Sequence, residues 1–189
     1  TGLYVQSFLY GVRFAAEKTP AGLREQLAAE LVEAGADGIV TGVLTPEGAL
    51  GADAMRPIYA AARRAAEKAG RPAPKLIAVT ILTSMDNEQF TDLNYKNTIA
   101  EQVISLAKLA KEAGMDGVVA SPQEAAGIRA SCGEGFLIVT PGVRPAGSSL
   151  DDQKRVATPS GALKNGSSHI VVGRPITKAE DRQAAAAAI

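Results

Sequence analysis

The sequence holds no tryptophan, a single cysteine and a single histidine. One thiol, Cys132, excludes an internal disulfide framework and fits a reducing compartment, so a cytoplasmic protein is expected. It closes a helical stretch with no base beside it and reads as structural. His169 has no cysteine or carboxylate cluster at ligand spacing, so no metal site is expected. An excess of charge of one sign is also missing. Lys+Arg and Asp+Glu are both 20, which gives no field for nucleic acid or an anionic membrane, and neither is expected as a partner. No apolar stretch approaches the roughly 20 residues that span a bilayer, and no signal-peptide pattern is visible. The chain opens on Thr1 rather than Met, from which a processed or cut chain is expected.

What is present is ordinary globular composition: 189 residues, 46% hydrophobic and 21% charged. That length supports one domain over residues 1–189 with one sizeable core. Short apolar runs alternate with amphipathic stretches. Strands are expected over residues 3–12, 37–43, 76–82, 115–120, 136–139 and 170–172. Between them, Pro20 opens a helix with Leu23, Leu27, Leu31 and Ala34 on one face. A second helix covers about residues 53–69, with Pro57 expected in its first turn. Residues 98–113 carry the cleanest helical stripe: Ile99, Val103, Leu106, Ala110 and Ala113. Ser121-Pro122-Gln123-Glu124 combines an N-cap, a proline at N1 and a capping-box glutamate. Thr158-Pro159 starts a short helix, and Thr177-Lys178-Ala179-Glu180 is expected to cap an alanine-rich terminal one.

One internal echo is informative. Ala34-Gly35-Ala36-Asp37-Gly38-Ile39-Val40 recurs as Ala113-Gly114-Met115-Asp116-Gly117-Val118-Val119. Each marks a helix ending at glycine and turning into a buried strand. Regular alternation of strand and helix implies a parallel sheet with right-handed crossovers. About six strand–helix units can be counted, against eight in a complete (β/α)8 barrel. The fold class expected is therefore α/β of the barrel family, short by about two N-terminal units.

The last two strands end alike. Thr140-Pro141-Gly142-Val143-Arg144-Pro145 follows one, and Val172-Gly173-Arg174-Pro175 the other. A strand that stops at a glycine turn with an arginine beyond it offers backbone N–H groups and a guanidinium to an anion. Two such ends side by side make a phosphate cradle, which in barrels commonly lies after strands 7 and 8. Read alone, either end is an ordinary turn with a surface arginine.

From about residue 75 onward the chain resembles the bacterial type of the orotidine 5'-phosphate decarboxylase family. The resemblance rests on Leu76-Ile77-Ala78-Val79-Thr80-Ile81-Leu82-Thr83-Ser84-Met85, on Gly114-Met115-Asp116-Gly117-Val118-Val119-Ala120-Ser121 and on the two strand ends above, with Asp152-Gln153-Lys154-Arg155 between them. It implies a (β/α)8 barrel, usually homodimeric, that uses no cofactor and converts orotidine 5'-monophosphate to UMP and CO2. Carried over by position, it implies phosphate binding by Arg144, Gln153, Gly173 and Arg174. Thr83 and Ser84 would meet the nucleoside, with Ser84 at the pyrimidine edge.

The resemblance also implies an Asp-x-Lys-x-x-Asp motif, whose lysine protonates the carbanion left at C6. Its place would be near residues 7–20, where there is no aspartate and Lys18 is the only lysine. The stretch Asp92-Leu93-Asn94-Tyr95-Lys96-Asn97 lacks the lysine and second aspartate in register. The catalytic residues are therefore not assigned from the sequence. Residues 34–48 are similar instead to a strand and loop of the copper-homeostasis barrel family, which marks residues 1–74 as atypical. The alternative to a decarboxylase is a non-catalytic phosphate- or nucleotide-binding barrel, truncated, chimeric or designed.

Overall fold

A computed structural model describes residues 23–35, 38–43, 52–145 and 155–189. The strand expected over residues 3–12, the region of the expected Asp-x-Lys-x-x-Asp motif and the 45–48 loop lie outside the described residues. The elements run α1 (Leu23–Glu33), β1 (Gly38–Val43), α2 (Ala52–Lys68), β2 (Lys75–Val79), α3 (Asn87–Asp92), α4 (Ile99–Glu112), β3 (Gly117–Val119), α5 (Ala125–Cys132), β4 (Leu137–Thr140), α6 (Pro159–Lys164), β5 (His169–Ile170), α7 (Arg174–Thr177) and α8 (Arg182–Ala187). Two compact units are formed, one from Thr1–Thr80 with Leu106–Val118, the other from Ile81–Ser105 with Val119–Ile189.

In the first unit β1 and β2 pair in parallel, with Gly38 opposite Lys75 and Thr41 opposite Ala78. The next strand enters beside β2, where the Asp116 N–H donates to the Leu76 carbonyl at 2.9 Å. The Asp116 carboxylate accepts from the Leu76 N–H at 3.0 Å and from the Lys75 ammonium at 2.9 Å. Leu76, Ile77 and Ala78 are all buried, as a strand covered on both faces requires. Helices α1 and α2 pack on each other. Among the described side chains of α2, Ile58, Ala61, Ala62, Ala65 and Ala66 are buried, a single stripe at helical spacing.

One expectation for these helices is corrected. In α1 the described side chains of Ala28 and Val32 are buried and Leu31 is half-buried, while Ala34, past the helix end, is exposed; the side chains of Leu23 and Leu27 lie outside the described residues. Helix α2 begins at Ala52, so Pro57 lies in its second turn rather than its first. The proline there deletes one i→i−4 hydrogen bond.

Both glycines of the internal echo adopt left-handed backbone, Gly35 at φ 96° and Gly114 at φ 90°. Each helix ends there because an L side chain resists that conformation. Helix α4 and Ala113 just past its end bury every residue of the expected stripe, with Gln102 and Ala107 beside them. Its entry is a capping box. The Thr98 N–H and hydroxyl both donate to Glu101 Oε2, at 2.9 and 2.8 Å. These bonds hold the Glu101 carboxyl below its ordinary range.

In the second unit the Ala120 N–H donates to the Val139 carbonyl at 3.1 Å, and β4 pairs in parallel with β5. Arg129 ties the entry side of these strands. Its guanidinium donates to the carbonyls of Gly133, Glu134, Phe136 and Gly166 and to Ser168 Oγ, at 2.7–2.9 Å. Helix α6 starts as expected, with Thr158 Oγ1 accepting from the Gly161 N–H and Pro159 at N1. The last helix does not. Thr177 closes the short helix α7, and Asp181 caps α8 by accepting from the Ala184 N–H. Helix α3 was not foreseen, although Asp86 and Gln89 form a full capping box at its start.

Candidate functional site

Strands β4 and β5 end level with each other. Val139 is opposite His169 and Thr140 opposite Ile170, and the Val171 N–H donates to the Thr140 carbonyl at 2.8 Å. Arg144 and Arg174 each stand four residues past the last paired position. Register therefore delivers both arginines to the same end of the sheet, which is where α/β proteins place ligands.

The two arginines are held differently. Arg144 is 7% exposed. Its Nη1 donates to the carbonyl of Val143 at 3.0 Å, and its Nε has no hydrogen-bond partner among the described residues. A buried guanidinium donor without an acceptor costs free energy, and an anionic oxygen placed there would remove that cost. Gly142, two residues earlier, takes φ 75° and makes the turn. Arg174 is half-buried at the first position of α7, with exposed Gly173 as N-cap. A Cβ at Gly173 would meet nothing within 4 Å, so packing does not require glycine there and the space beside its backbone is open.

Thr83 and Ser84 lie just past β2, Thr83 buried and Ser84 half-buried. The strand expected over residues 76–82 ends at Val79. The carbonyls of Ile81 and Leu82 turn instead to Arg155, whose Nη2 donates to them at 3.4 and 3.0 Å. Gln153 lies outside the described residues.

The sequence reading missed the pair that organises this region. Arg155 is 6% exposed, and its Nη1 donates to Glu124 Oε1 at 2.6 Å. The expected capping box at residues 121–124 is met only in part: Ser121 Oγ accepts from the Gln123 N–H at 3.3 Å, but α5 starts later, with Glu124 as an N-cap that makes no side-chain cap and whose carboxylate is bonded to Arg155. Burial pushes the Glu124 carboxyl above its ordinary value, and the Arg155 guanidinium pulls it part of the way back. The only signals in the sequence were a glutamate at a capping position and the second basic residue after Gln153. Neither says that the two meet.

Residues 155–157 then join the two ends of the site. The Arg155 N–H donates to the Thr83 carbonyl at 3.3 Å. Two residues on, Ala157 forms a parallel bridge with Val143, and its carbonyl accepts from the Arg144 N–H at 2.9 Å.

The model of the orotidine 5'-phosphate decarboxylase / HUMPS family matches residues 24–189. The chain belongs to this family. The match begins well before residue 75, so it includes most of the stretch that reads as atypical. The chain is 50% identical over 163 residues to the orotidine 5'-phosphate decarboxylase of Moorella thermoacetica, covering 86% of this chain and 63% of that one. It is 55% identical over 120 residues to that of Pseudoalteromonas translucida, covering 64% and 51%. Thus the chain spans only between half and two-thirds of these relatives' length. Among solved structures, orotidine 5'-phosphate decarboxylase from Lactobacillus acidophilus superposes with a TM-score of 0.70 at 38% identity, covering 87% of this chain and 66% of that one. An uncharacterized conserved protein from Geobacillus kaustophilus gives 0.70 at 30% identity, covering 100% and 72%. The fold class is α/β, of the barrel type of this family.

Proposed function

We propose that this chain binds a pyrimidine nucleoside 5'-monophosphate, and that the whole protein is a carboxy-lyase converting orotidine 5'-monophosphate to UMP and CO2. The observation that carries the reading is Arg144, a buried arginine at a strand end whose Nε has no partner among the described residues. In this reading Arg144 and Arg174 direct forked donors at the phosphate dianion, Gly173 leaves room for its oxygens, and Gln153 adds a neutral donor. Thr83 and Ser84 face the nucleoside, Ser84 at the pyrimidine edge. No cofactor is needed, since the phosphate anchor positions the base and the reacting bond lies within one small molecule. The proposal extends to a homodimer in the cytoplasm, with a small nucleotide as ligand and neither nucleic acid nor membrane as partner. Among the described residues no helix is long and apolar enough to cross a membrane.

A second reading has its own support. No Asp-x-Lys-x-x-Asp occurs anywhere in the 189 residues, so these residues by themselves fit a nucleotide binder without the C6 proton donor.

Calorimetric titration with UMP tests the first reading. Binding is expected, and Arg174→Ala is expected to weaken it by about 1.5–3 kcal/mol, the worth of a charge-assisted hydrogen bond. Absence of binding by the unmutated chain sinks the reading. Turnover of orotidine monophosphate in the same sample separates enzyme from binder.

A further inference from the structure

The nucleotide reading leaves one buried ion pair unused. Glu124 and Arg155 are 6% exposed each, and neither is among the residues assigned to the ligand. Buried ion pairs seldom add much stability over apolar residues of similar size, because desolvation offsets the attraction. A role in fixing geometry is the better account when the pair also reaches functional backbone. Here it does. One guanidinium Nη holds the Glu124 carboxylate, and the other spans the Ile81 and Leu82 carbonyls. The same residue's N–H holds Thr83, and two residues on Ala157 holds Arg144. Residues 155–157 thus link, by a backbone hydrogen bond at each end, the turn bearing Thr83 and Ser84 to the turn bearing Arg144.

We propose that Arg155 is a positioning residue: clamped by Glu124, it fixes the distance between the nucleoside end and the phosphate end of the site. The inference rests on the nucleotide reading above. Arginine is suited to this because its planar fork bonds a carboxylate on one side and carbonyls on the other at once. A lysine keeps the charge but is a point donor and cannot hold both sides in one plane. The consequence is selective. A ligand that touches both ends feels the spacing, while a ligand that touches one end does not.

The test compares UMP with inorganic phosphate by calorimetry on the full chain, for the unmutated protein, Arg155→Lys and Glu124→Gln. Circular dichroism melts first establish that each variant is folded. UMP affinity is expected to fall at least tenfold in Arg155→Lys, with phosphate affinity within twofold of the unmutated value. Glu124→Gln is expected to do the same more mildly, since an amide still accepts from the guanidinium. If UMP and phosphate weaken in proportion, or UMP is unaffected in folded variants, the pair is only structural and the positioning role is overturned. If the unmutated chain binds neither, the nucleotide reading itself fails and carries this inference with it. Should Arg155→Lys fail to fold, Glu124→Gln decides by the same ratio.

Discussion

At the scale of single residues, the side chains that matter are those whose polar atoms are buried. Arg144 was legible as a phosphate candidate from its place after a strand and a glycine turn. Its burial was not, since sequence cannot say whether an arginine past a strand faces water. Glu124 shows the converse. Its local context predicts a helix cap, yet the partner that captures it is 31 residues away. Its titration yields a prediction. Because burial raises the folded-state value, the folded protein binds more protons at Glu124 than the unfolded chain does, between the ordinary 4.5 and the raised value. The contribution of this group to stability is therefore greatest at and below pH 4.5 and declines as pH rises through the raised value. Denaturant unfolding of the unmutated protein and Glu124→Gln from pH 4.5 to 7 is expected to show the unmutated protein losing ground to the variant as pH rises. A difference that stays constant would mean that attraction to Arg155 balances burial, and one that moves the other way that attraction outweighs it.

At the scale of elements, periodicity was a good guide where the apolar residues were large and regularly spaced. All five residues of the stripe expected over 98–113 are buried, four in α4 and Ala113 just past its end. Leu106 is 2% exposed, and Leu106→Ala is expected to destabilise the protein by about 2–5 kcal/mol through lost apolar contact and the cavity left behind. A loss under 1 kcal/mol in urea unfolding would contradict so tightly packed a stripe. The strand ends were less legible. An apolar run reads as strand until something else takes its carbonyls, and at Ile81 and Leu82 that is Arg155.

At the scale of the molecule, the divisions between the two compact units fall at residues 80/81, 105/106 and 118/119. Two of these lie inside elements, α4 and β3. Domain boundaries normally fall in exposed linkers. We propose that residues 1–189 form a single domain, for which one cooperative calorimetric transition is expected, with van't Hoff and calorimetric enthalpies equal. Two resolved transitions would overturn it. The sequence by itself determined the parallel strand–helix alternation, the left-handed glycine stops at Gly35 and Gly114, the α4 stripe and the paired strand ends bearing Arg144 and Arg174. All of these depend on neighbours within a few residues, where backbone sterics and side-chain period act directly. Only the tertiary structure decided that Arg144 is buried with a donor to spare, and that Glu124 and Arg155 join the two ends of the site. Those facts depend on which distant carbonyl or carboxylate lies within about 3 Å, and no local pattern carries that information.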